Sequence, residues 1–293
     1  MARSRIKPYR VAFQGELGAF SHMAIRQLAG PSAEAVPLPR FDLIFRAVAE
    51  GEADAAMAPI ENTLHGSVHE NYDHLLHYGL PIVAETSIRI VHNLIALPGV
   101  RFPEVRDVYS HPVALNQCLD FFAANPRFEK KPYYDTAGSV KMLTEEKPPG
   151  SAAIASALAA DLYGCRILRK SIEDDRQNFT RFFLISRENR SRQSAQYKTS
   201  LVFTTRNHPG SLFRALAALA LRDINLVKIE SRPLRGQPWE YLFYLDFLGH
   251  VEDANVVNAL DHLREVADLF RVLGCYPRGE VGAKPSVSGR KSD

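Results

Sequence analysis

The chain has 293 residues, of which 46% are hydrophobic and 24% are charged. This composition is typical of a globular protein long enough for two domains, at roughly 100–200 residues each. The net charge is only +3, and the basic residues are scattered, with Arg187, Arg190 and Arg192 forming the nearest approach to a cluster. Nucleic acid is therefore excluded as the main partner.

The cysteines and the apolar runs indicate the compartment. Cys118, Cys165 and Cys275 are widely spaced and form no CxxC pair, so we expect reduced thiols rather than a disulfide framework or a zinc site. The longest apolar run, Ile88–Leu97, is too short to cross a bilayer, and no signal-peptide segment follows the basic residues 1–10. We expect a soluble, cytosolic protein that binds no membrane.

Short apolar strands alternate with helical segments from residue 10 onward, which predicts an α/β domain with mostly parallel sheets. Strands are predicted at 10–14, 53–60, 82–97, 105–109, 131–134 and 152–155, and helices at 18–28, 42–48, 68–78, 112–122, 137–145 and 157–163. One α/β unit lies on each side of the run at 82–97, and the chain returns to the first unit near Thr180–Ile185. Two lobes joined by crossing strands bind ligands in the cleft between them.

A polar stretch at 187–196 predicts a linker, and a βαββαβ unit of the ferredoxin-like kind follows it. The predicted elements are strands at 198–205, 224–234, 239–248 and 270–276 and helices at 209–221 and 255–266, with Pro209 in the first turn of its helix. Leu212, Leu216 and Leu219 share a face of that helix, which indicates core. We expect a first domain at 8–187, a linker at 188–197, a second domain at 198–279 and a disordered tail at 280–293.

Several segments, in a fixed order, carry a family resemblance. They are VAFQGELGAFSHMA (Val11–Ala24), IFRAVAEGEADAAMAPIENTLHGSV (Ile44–Val68), VYSHPVALNQC (Val108–Cys118), NFTRFFLI (Asn178–Ile185), NHPGSLFRAL (Asn207–Leu216) and KIESRP (Lys228–Pro233). The first four resemble the motifs of prephenate dehydratases, and the last two resemble the ACT regulatory domain of the same enzymes. A lone Thr-Arg-Phe would mean little, whereas this ordered set spans most of the chain and is specific.

The resemblance implies a catalytic domain of the type-II periplasmic-binding-protein kind, with prephenate bound between its lobes. It implies decarboxylating dehydration to phenylpyruvate in phenylalanine biosynthesis, with Thr180 as the proton donor. The residues that match the family's catalytic motifs are Thr180, Glu61, Asn62 and Gln117, and those that match its substrate-binding positions are Ser110, Arg181, Thr136 and Gly138.

This chemistry suits these residue types. Loss of CO2 and water makes the ring aromatic, so the barrier lies in expelling hydroxide, and a positioned acid contributes roughly 10²–10⁴-fold. A threonine hydroxyl is a weak acid, so Thr180 needs orientation or a proton relay from Glu61, Asn62 or Gln117. The planar guanidinium of Arg181 suits the prephenate carboxylate that is not lost as CO2. The reaction needs no electron transfer or group carrier, so we expect no cofactor and no metal.

Each motif also has an ordinary structural explanation. Glu61 and Asn62 can cap a helix, Ser110 can be the N-cap of a helix that begins at Pro112, and Thr180 with Arg181 can be a strand end. His69, Asp73 and His77 have a spacing of four residues on one helical face, which can bind zinc, although surface histidines are commoner. Gly15 and Gly18 lack the third glycine of a dinucleotide loop.

In the C-terminal unit, the resemblance places L-phenylalanine at the interface of two ACT domains, so we expect a homodimer or homotetramer. Gly210 permits close approach of a ligand carboxylate to a helix start. Ser211 stands where Ala is usual and Val227 where Thr is common. The matching residues are Asn207, Gly210, Ser211, Leu212, Asn225, Glu230 and Ser231. Alternatively, this domain only dimerises.

Three alternatives to prephenate turnover remain open at this stage. Arogenate differs from prephenate only by an amino group in place of a keto group, and no residue in the sequence decides between them. A non-catalytic amino-acid sensor is disfavoured because Thr180, Glu61, Asn62 and Gln117 are all present. A solute-binding protein of a transporter is disfavoured by the lack of an export signal. We expect a monofunctional enzyme with no mutase segment before residue 10.

Overall fold

The computed structural model describes residues 8–188, 194, 196–234, 236 and 239–279. These residues form two compact units, one made of 8–74 and 86–183 and the other of 75–85 and 184–279. The predicted tail at 280–293 and the greater part of the predicted linker, including Arg190 and Arg192, lie outside the described residues.

The first part of the chain is built from alternating strands and helices. In chain order they are β1 (Arg10–Gln14), α1 (Phe20–Ala29), β2 (Glu34–Leu38), α2 (Phe41–Glu50), β3 (Ala55–Asn62), β4 (Gly66–Ser67), α3 (His69–Tyr78), β5 (Ile82–Arg89) and β6 (Asn93–Ala96). There follow β7 (Asp107–Ser110), α4 (Pro112–Asn116), α5 (Leu119–Ala123), β8 (Glu129–Pro132), α6 (Thr136–Glu146), β9 (Ser151–Ala155), α7 (Ala157–Leu162), β10 (Arg166–Arg169) and β11 (Phe179–Ser186).

These strands form two sheets. The first has the order β2-β1-β3-β11-β5, with β4 paired to β3, and the second has the order β10-β6-β9-β7-β8. The chain leaves the first sheet after β5 and returns to it as β11, so the predicted two-lobed α/β arrangement is confirmed. Both connecting strands also pass from one compact unit to the other, β5 after Glu85 and β11 after Phe183.

Aliphatic and phenylalanine side chains make the cores of the two lobes. In the first lobe, Phe13, Ile44, Phe45 and Val48 are fully buried, and the last three lie on α2. The second lobe has its own core cluster, which includes Leu94, Val108, Leu115, Phe122 and Ile154. Each fully buried side chain of this size contributes roughly 1.5–3 kcal/mol, so each lobe is held by its own core.

The predicted helix at 112–122 is wrong: it is two short helices with a break at Gln117. The break arises from a distant carboxylate, because Asp174 accepts hydrogen bonds from the backbone N–H groups of Leu119 (2.7 Å) and Asp120 (3.0 Å) and so caps α5. The alternative N-cap role of Ser110 is also wrong, because His111 Nδ1 accepts from the backbone N–H of Val113 at 3.2 Å.

The strand prediction at 82–97 joins two strands that are separate, and three short strands were not predicted. Residues 90–92 interrupt the run between β5 and β6. The missed strands are β2, β4 and β10. Each is short, and each lies at an edge of its sheet. In β2, Pro37 breaks the apolar alternation, which an edge strand tolerates.

The second unit contains the predicted ferredoxin-like fold. Its elements are β12 (Tyr197–Thr204), α8 (Ser211–Ala220), β13 (Leu226–Pro233), β14 (Tyr241–Leu248), α9 (Ala254–Val266) and β15 (Leu269–Pro277). The antiparallel sheet has the order β13-β14-β12-β15, and Leu212, Leu216 and Leu219 lie in the core as predicted. The expected helix start at Pro209 is wrong, because α8 begins at Ser211 after a left-handed Gly210 (φ 80°).

Residues 75–85 pack tightly on β15 and β12 within the second unit. A Cβ at Gly274 would clash with the carbonyl oxygen of Ile82, so only glycine fits there. The buried carboxylate of Glu85 pairs with Lys198 Nζ at 2.7 Å and accepts from the backbone N–H of Gly279 at 3.0 Å. None of the helices in the described ranges is long and apolar enough to span a bilayer.

Candidate active site

The ends of two neighbouring strands bring Asn62 and Thr180 together. Asn62 is the last residue of β3, Thr180 is the second residue of β11, and the two strands are adjacent in the first sheet. The amide nitrogen of Asn62 shares its two protons among three acceptors, Thr180 Oγ1 at 3.0 Å, Asn178 Oδ1 at 2.7 Å and the carbonyl oxygen of Phe179 at 3.1 Å. The amide oxygen of Asn62 accepts from the backbone N–H groups of Leu64 and His65. Asn62 is thus fixed from both ends of its amide.

This arrangement decides what the Thr180 hydroxyl can do. Its oxygen accepts a hydrogen bond from Asn62, so its own proton remains available to a further acceptor. A donor aimed at the oxygen also stabilises the negative charge that develops there when the proton leaves. Asn62 therefore both orients Thr180 and makes its hydroxyl a better proton donor.

Glu61 and Arg181 form a second pair on the other face of the same two strands. Successive strand residues point to opposite faces, so these two side chains lie opposite Asn62 and Thr180. Arg181 Nη1 is 3.7 Å from Glu61 Oε2, and the guanidinium lies 4.7 Å from the centroid of the Phe183 ring. The structure brings Glu61 and Arg181 to each other rather than to the Thr180 hydroxyl.

Gln117 lies at the break between α4 and α5 and links the two lobes. Its amide oxygen is 2.7 Å from Nε2 of the buried His92, and its amide nitrogen is 3.4 Å from Nδ1 of the exposed His65. Because the backbone N–H of His65 donates to Asn62, a continuous polar chain runs from Thr180 through Asn62 and His65 to Gln117.

The remaining substrate-binding candidates make other contacts. Ser110 is fully buried, and its hydroxyl donates to the carbonyl oxygen of Ile154 at 2.6 Å. The backbone N–H of Gly138 donates to Asp135 Oδ1 at 2.7 Å, and a Cβ on Gly138 would meet the Tyr134 ring. Thr136 is the first residue of α6. Among the residues the structure describes, none of these contacts is made with Asn62 or Thr180.

The Gly15–Gly18 loop joins the lobes instead of forming a nucleotide site. Glu16 accepts from Tyr134 at 3.0 Å and from Lys141 at 3.2 Å, both of the second lobe. A Cβ on Gly18 (φ 95°) would clash with Ala159, so glycine is needed for this close approach. Burial raises the pKa of the adjacent Asp135 carboxyl above its ordinary value.

The histidines of α3 and the cysteines have structural surroundings. His74 Nε2 lies 3.4 Å from Glu70, its ring packs at 5.2 Å from that of Phe45, and the ring of His77 packs on Tyr78. Within the described ranges, no three His, Cys, Asp or Glu side chains are grouped as metal ligands. Burial raises the pKa of the Cys118 thiol far above its ordinary value, which keeps it protonated.

Three residues near the site were missed from the sequence: His92, His65 and Asn178. In the sequence, His92 interrupts an apolar run and His65 is one of several histidines in its segment, so neither position stands out. Asn178 stands two residues before Thr180 in the quoted NFTRF segment, which was a usable signal. All three make contacts between distant parts of the chain, Asn178 with Asn62, His92 with Gln117 and His65 also with Gln117.

The effector candidates of the second unit are exposed or half-buried and are spread along it. Gly210 precedes α8, Ser211 Oγ accepts from Arg214 at 3.2 Å, and Asn207 lies 3.5 Å from the carbonyl oxygen of Trp239. Asn225 precedes β13, whereas Ser231 lies towards its far end, a separation of about 20 Å along an extended strand. One copy of the chain does not bring Asn225 and Ser231 together.

Comparison with known proteins agrees with this architecture, which is that of a two-lobed α/β enzyme followed by a small regulatory domain. The profile of the prephenate dehydratase family matches residues 11–190, and that of the ACT domain matches residues 199–265. The chain belongs to the prephenate dehydratase family.

Its relatives include plant and bacterial proteins. Arogenate dehydratase/prephenate dehydratase 2, chloroplastic, of Arabidopsis thaliana is 45% identical, covering 92% of this chain and 72% of that one. Prephenate dehydratase from Arthrobacter aurescens in complex with L-Phe is 33% identical with a TM-score of 0.84, covering 92% and 90%. A solved structure described as a novel type of quorum quenching acylase is 36% identical with a TM-score of 0.84, covering 92% and 97%.

Proposed function

We propose that this protein converts prephenate to phenylpyruvate with Thr180 as the proton donor and Asn62 as the group that activates it. The observation that carries the proposal is the hydrogen bond from Asn62 Nδ2 to Thr180 Oγ1. It leaves the threonine proton directed at a further acceptor, which is the geometry that general acid catalysis requires.

The step balances without any other reagent. The bond between the ring and its carboxylate breaks and releases CO2, and its electron pair enters the ring. The bond from C4 to the hydroxyl oxygen breaks at the same time, and Thr180 gives its proton to the departing oxygen, which leaves as water. The Thr180 oxygen, stabilised by Asn62, regains a proton from solvent in the next phase of the cycle. Gln117 supplies a neutral hydrogen-bond donor to the substrate from the opposite lobe.

The roles of Glu61 and Arg181 in this proposal are those of a positioning pair. Their contact joins β3 to β11 directly beside Asn62 and Thr180, so it fixes the register of the two catalytic side chains. Ser110, Thr136 and Gly138 keep their proposed place in the substrate-binding part of the second lobe. Their backbone and hydroxyl contacts shape that part of the lobe.

Prephenate is proposed as the preferred substrate over arogenate, and the names of the relatives cover both. Purified protein should release phenylpyruvate from prephenate, followed by its absorbance, and should release phenylalanine from arogenate more slowly. A kcat/KM that is higher for arogenate would reassign the substrate. Turnover of neither would return attention to the sensor alternative.

Acylase activity, the description of one similar structure, is not favoured by this geometry. Acyl transfer by a covalent route needs an activated nucleophile. The Cys118 thiol is buried with a raised pKa, and the Ser110 hydroxyl is buried and donates to a backbone carbonyl. Neither side chain is arranged to attack an amide.

The second unit is proposed to bind L-phenylalanine between two copies of the chain. β13 is an edge strand of its sheet and exposes Val227 and Ile229, each 44% accessible. If two copies pair these edges about a two-fold axis, the Asn225 end of one strand faces the Ser231 end of the other. That pairing supports a site made from both copies and hence a homodimer. A homotetramer would contain two such dimers.

Domain boundaries and compartment complete the proposal. The catalytic domain is proposed at 8–187, the linker at 188–197 and the ACT domain at 198–279, in agreement with the family matches at 11–190 and 199–265. A cytosolic location is proposed for this chain, whereas several plant relatives are named as chloroplastic. A fluorescent fusion of the full chain in its own cells would test the location.

A further inference from the structure

We propose that His92 is a positioning residue for this reaction: it is a neutral hydrogen-bond donor that turns the side chain of Gln117 so that its NH₂ group faces the substrate. The inference rests on the proposed role of Gln117. His92 itself touches no reacting atom and acts only through Gln117.

His92 is held in place by contacts to both its backbone and its ring. Only 1% of the residue is exposed. Its backbone N–H donates to Glu173 Oε2 at 3.0 Å, and its carbonyl oxygen accepts from the backbone N–H of Ile172 at 2.9 Å. The Phe20 ring meets the imidazole edge-on, with 5.7 Å between centroids. A side chain held in this way can impose its orientation on a neighbour.

In the contact between His92 and Gln117, either side chain could be the hydrogen-bond donor, and the burial of His92 decides which one it is. His92 Nε2 lies 2.7 Å from Gln117 Oε1, whereas Nδ1 is buried and has no hydrogen-bond partner among the described residues. If Gln117 were flipped and donated to Nε2, the ring proton would sit on Nδ1 as a buried N–H without an acceptor. Unpaired buried N–H groups are rarer than unpaired acceptors. The proton therefore lies on Nε2, and His92 donates to the amide oxygen of Gln117.

The ring is neutral, because burial lowers the pKa of His92 below its ordinary value. The acidic groups that face it are already engaged. Glu173 Oε1 accepts from Arg89 Nη2 at 2.8 Å, and the carboxylate of Asp174 accepts the two backbone N–H groups that begin α5.

Fixing the amide oxygen inward leaves one orientation for the rest of Gln117. Its NH₂ group points outward towards the exposed His65, where the 3.4 Å separation is long for a hydrogen bond. The NH₂ group can therefore easily exchange its weak contact with His65 for a hydrogen bond to an incoming carboxylate or hydroxyl. Without His92, a half-buried glutamine rotates among several conformers, and the donor is misplaced for part of the time.

The test is a double-mutant cycle in the full-length enzyme. His92→Leu removes the donor at similar volume, and we expect kcat to fall about 10- to 100-fold. His92→Gln restores an N–H near the position of Nε2, and we expect most of that loss to be recovered. In a Gln117→Leu background, His92→Leu should cost less than about 3-fold more. Full activity in His92→Leu, or losses that multiply in the double variant, would overturn the proposal.

A second measurement does not depend on turnover. In protein labelled with ¹⁵N-histidine, the His92 ring should show a protonated Nε2 and a bare Nδ1 at pH 7 to 8, and Gln117→Leu should shift the Nε2 signal. An Nδ1-protonated or charged ring would overturn the proposal even in an active enzyme. If the wild-type chain turned over neither prephenate nor arogenate, the proposed function would fail, while this spectrum would still decide the His92–Gln117 hydrogen bond.

Discussion

The Asn62–Thr180 site and the candidate effector site are built in opposite ways. Asn62 makes contacts at both ends of its amide, with Thr180 on the adjacent strand and with the turn that follows β3. Asn225 and Ser231, by contrast, are exposed and separated along β13, beside the apolar side chains of Val227 and Ile229. A site that performs chemistry has to be rigid before the substrate arrives, whereas a site that senses a ligand gains from being completed by it.

The largest effect is expected from the rigid site. Thr180→Ala removes the proposed proton donor, and we expect kcat to fall about 10²–10⁴-fold with little change in the unfolding temperature. Thr180→Ser keeps a hydroxyl at the same place and should retain a large part of the activity. Steady-state kinetics with prephenate measures both variants. Equal activity of the alanine variant and the wild type would remove Thr180 from its role.

The next largest effect is expected from a variant that tests whether the effector site needs a second copy of the chain. Ile229→Lys puts a charge on the exposed edge of β13, so we expect a smaller particle in light scattering and a loss of phenylalanine affinity of at least about 10-fold. Turnover without phenylalanine should stay within about 2-fold of wild type. Val257→Lys is the matched control, since Val257 is 39% exposed on α9 of the same unit. If both variants kept assembly and affinity, the β13 edge would not be the interface.

A smaller effect is expected from the polar groups of the same strand. Ser231→Ala removes one hydrogen-bonding hydroxyl, and Glu230→Gln removes the charge that pairs with Lys228 at 3.0 Å. A lost hydrogen bond is worth about 0.5–1.5 kcal/mol, so each variant should raise the phenylalanine concentration for half-inhibition about 2- to 10-fold. Inhibition that stayed at the wild-type concentration in both would move the effector site elsewhere.

The smallest expected effect is on stability at mildly acid pH. Burial lowers the pKa of His92 below its ordinary value of 6.5, and burial with Arg26 lowers that of His22. Each histidine is neutral when folded and binds a proton more readily when unfolded. Their contribution is therefore complete above pH 6.5 and is lost as the pH falls below it, at up to about 1.4 kcal/mol per pH unit for each.

Urea unfolding between pH 7.5 and 5 measures this slope. His92→Gln cannot take up the proton, so its slope should be shallower than that of the wild type. An identical slope in the variant would mean that His92 is not the group responsible.

The alternation of strands and helices predicted the two lobes and the ferredoxin-like unit, because these depend on local patterns. The Asn62–Thr180 neighbourhood was predicted by the family motifs, since the two residues are far apart in the chain. The break at Gln117 could not be predicted, since it is made by Asp174, far along the chain. His92 could not be distinguished from a histidine that merely interrupts an apolar run, because its meaning depends on Gln117. Strand alternation could have placed Glu61 and Arg181 on the opposite face of the sheet from Asn62 and Thr180. Glu61 directly precedes Asn62, Arg181 directly follows Thr180, and consecutive strand residues point to opposite faces.

β11 has a mechanical consequence for control of the enzyme. It carries Thr180 near its start, and its last three residues, 184–186, belong to the unit that contains the ACT fold. A strand cannot slide by one residue without exchanging its two faces, which would put Arg181 where Thr180 stands. An effector that works through this strand is therefore restricted to twisting or bending it, a small adjustment that would move the Thr180 side chain while leaving the sheet intact.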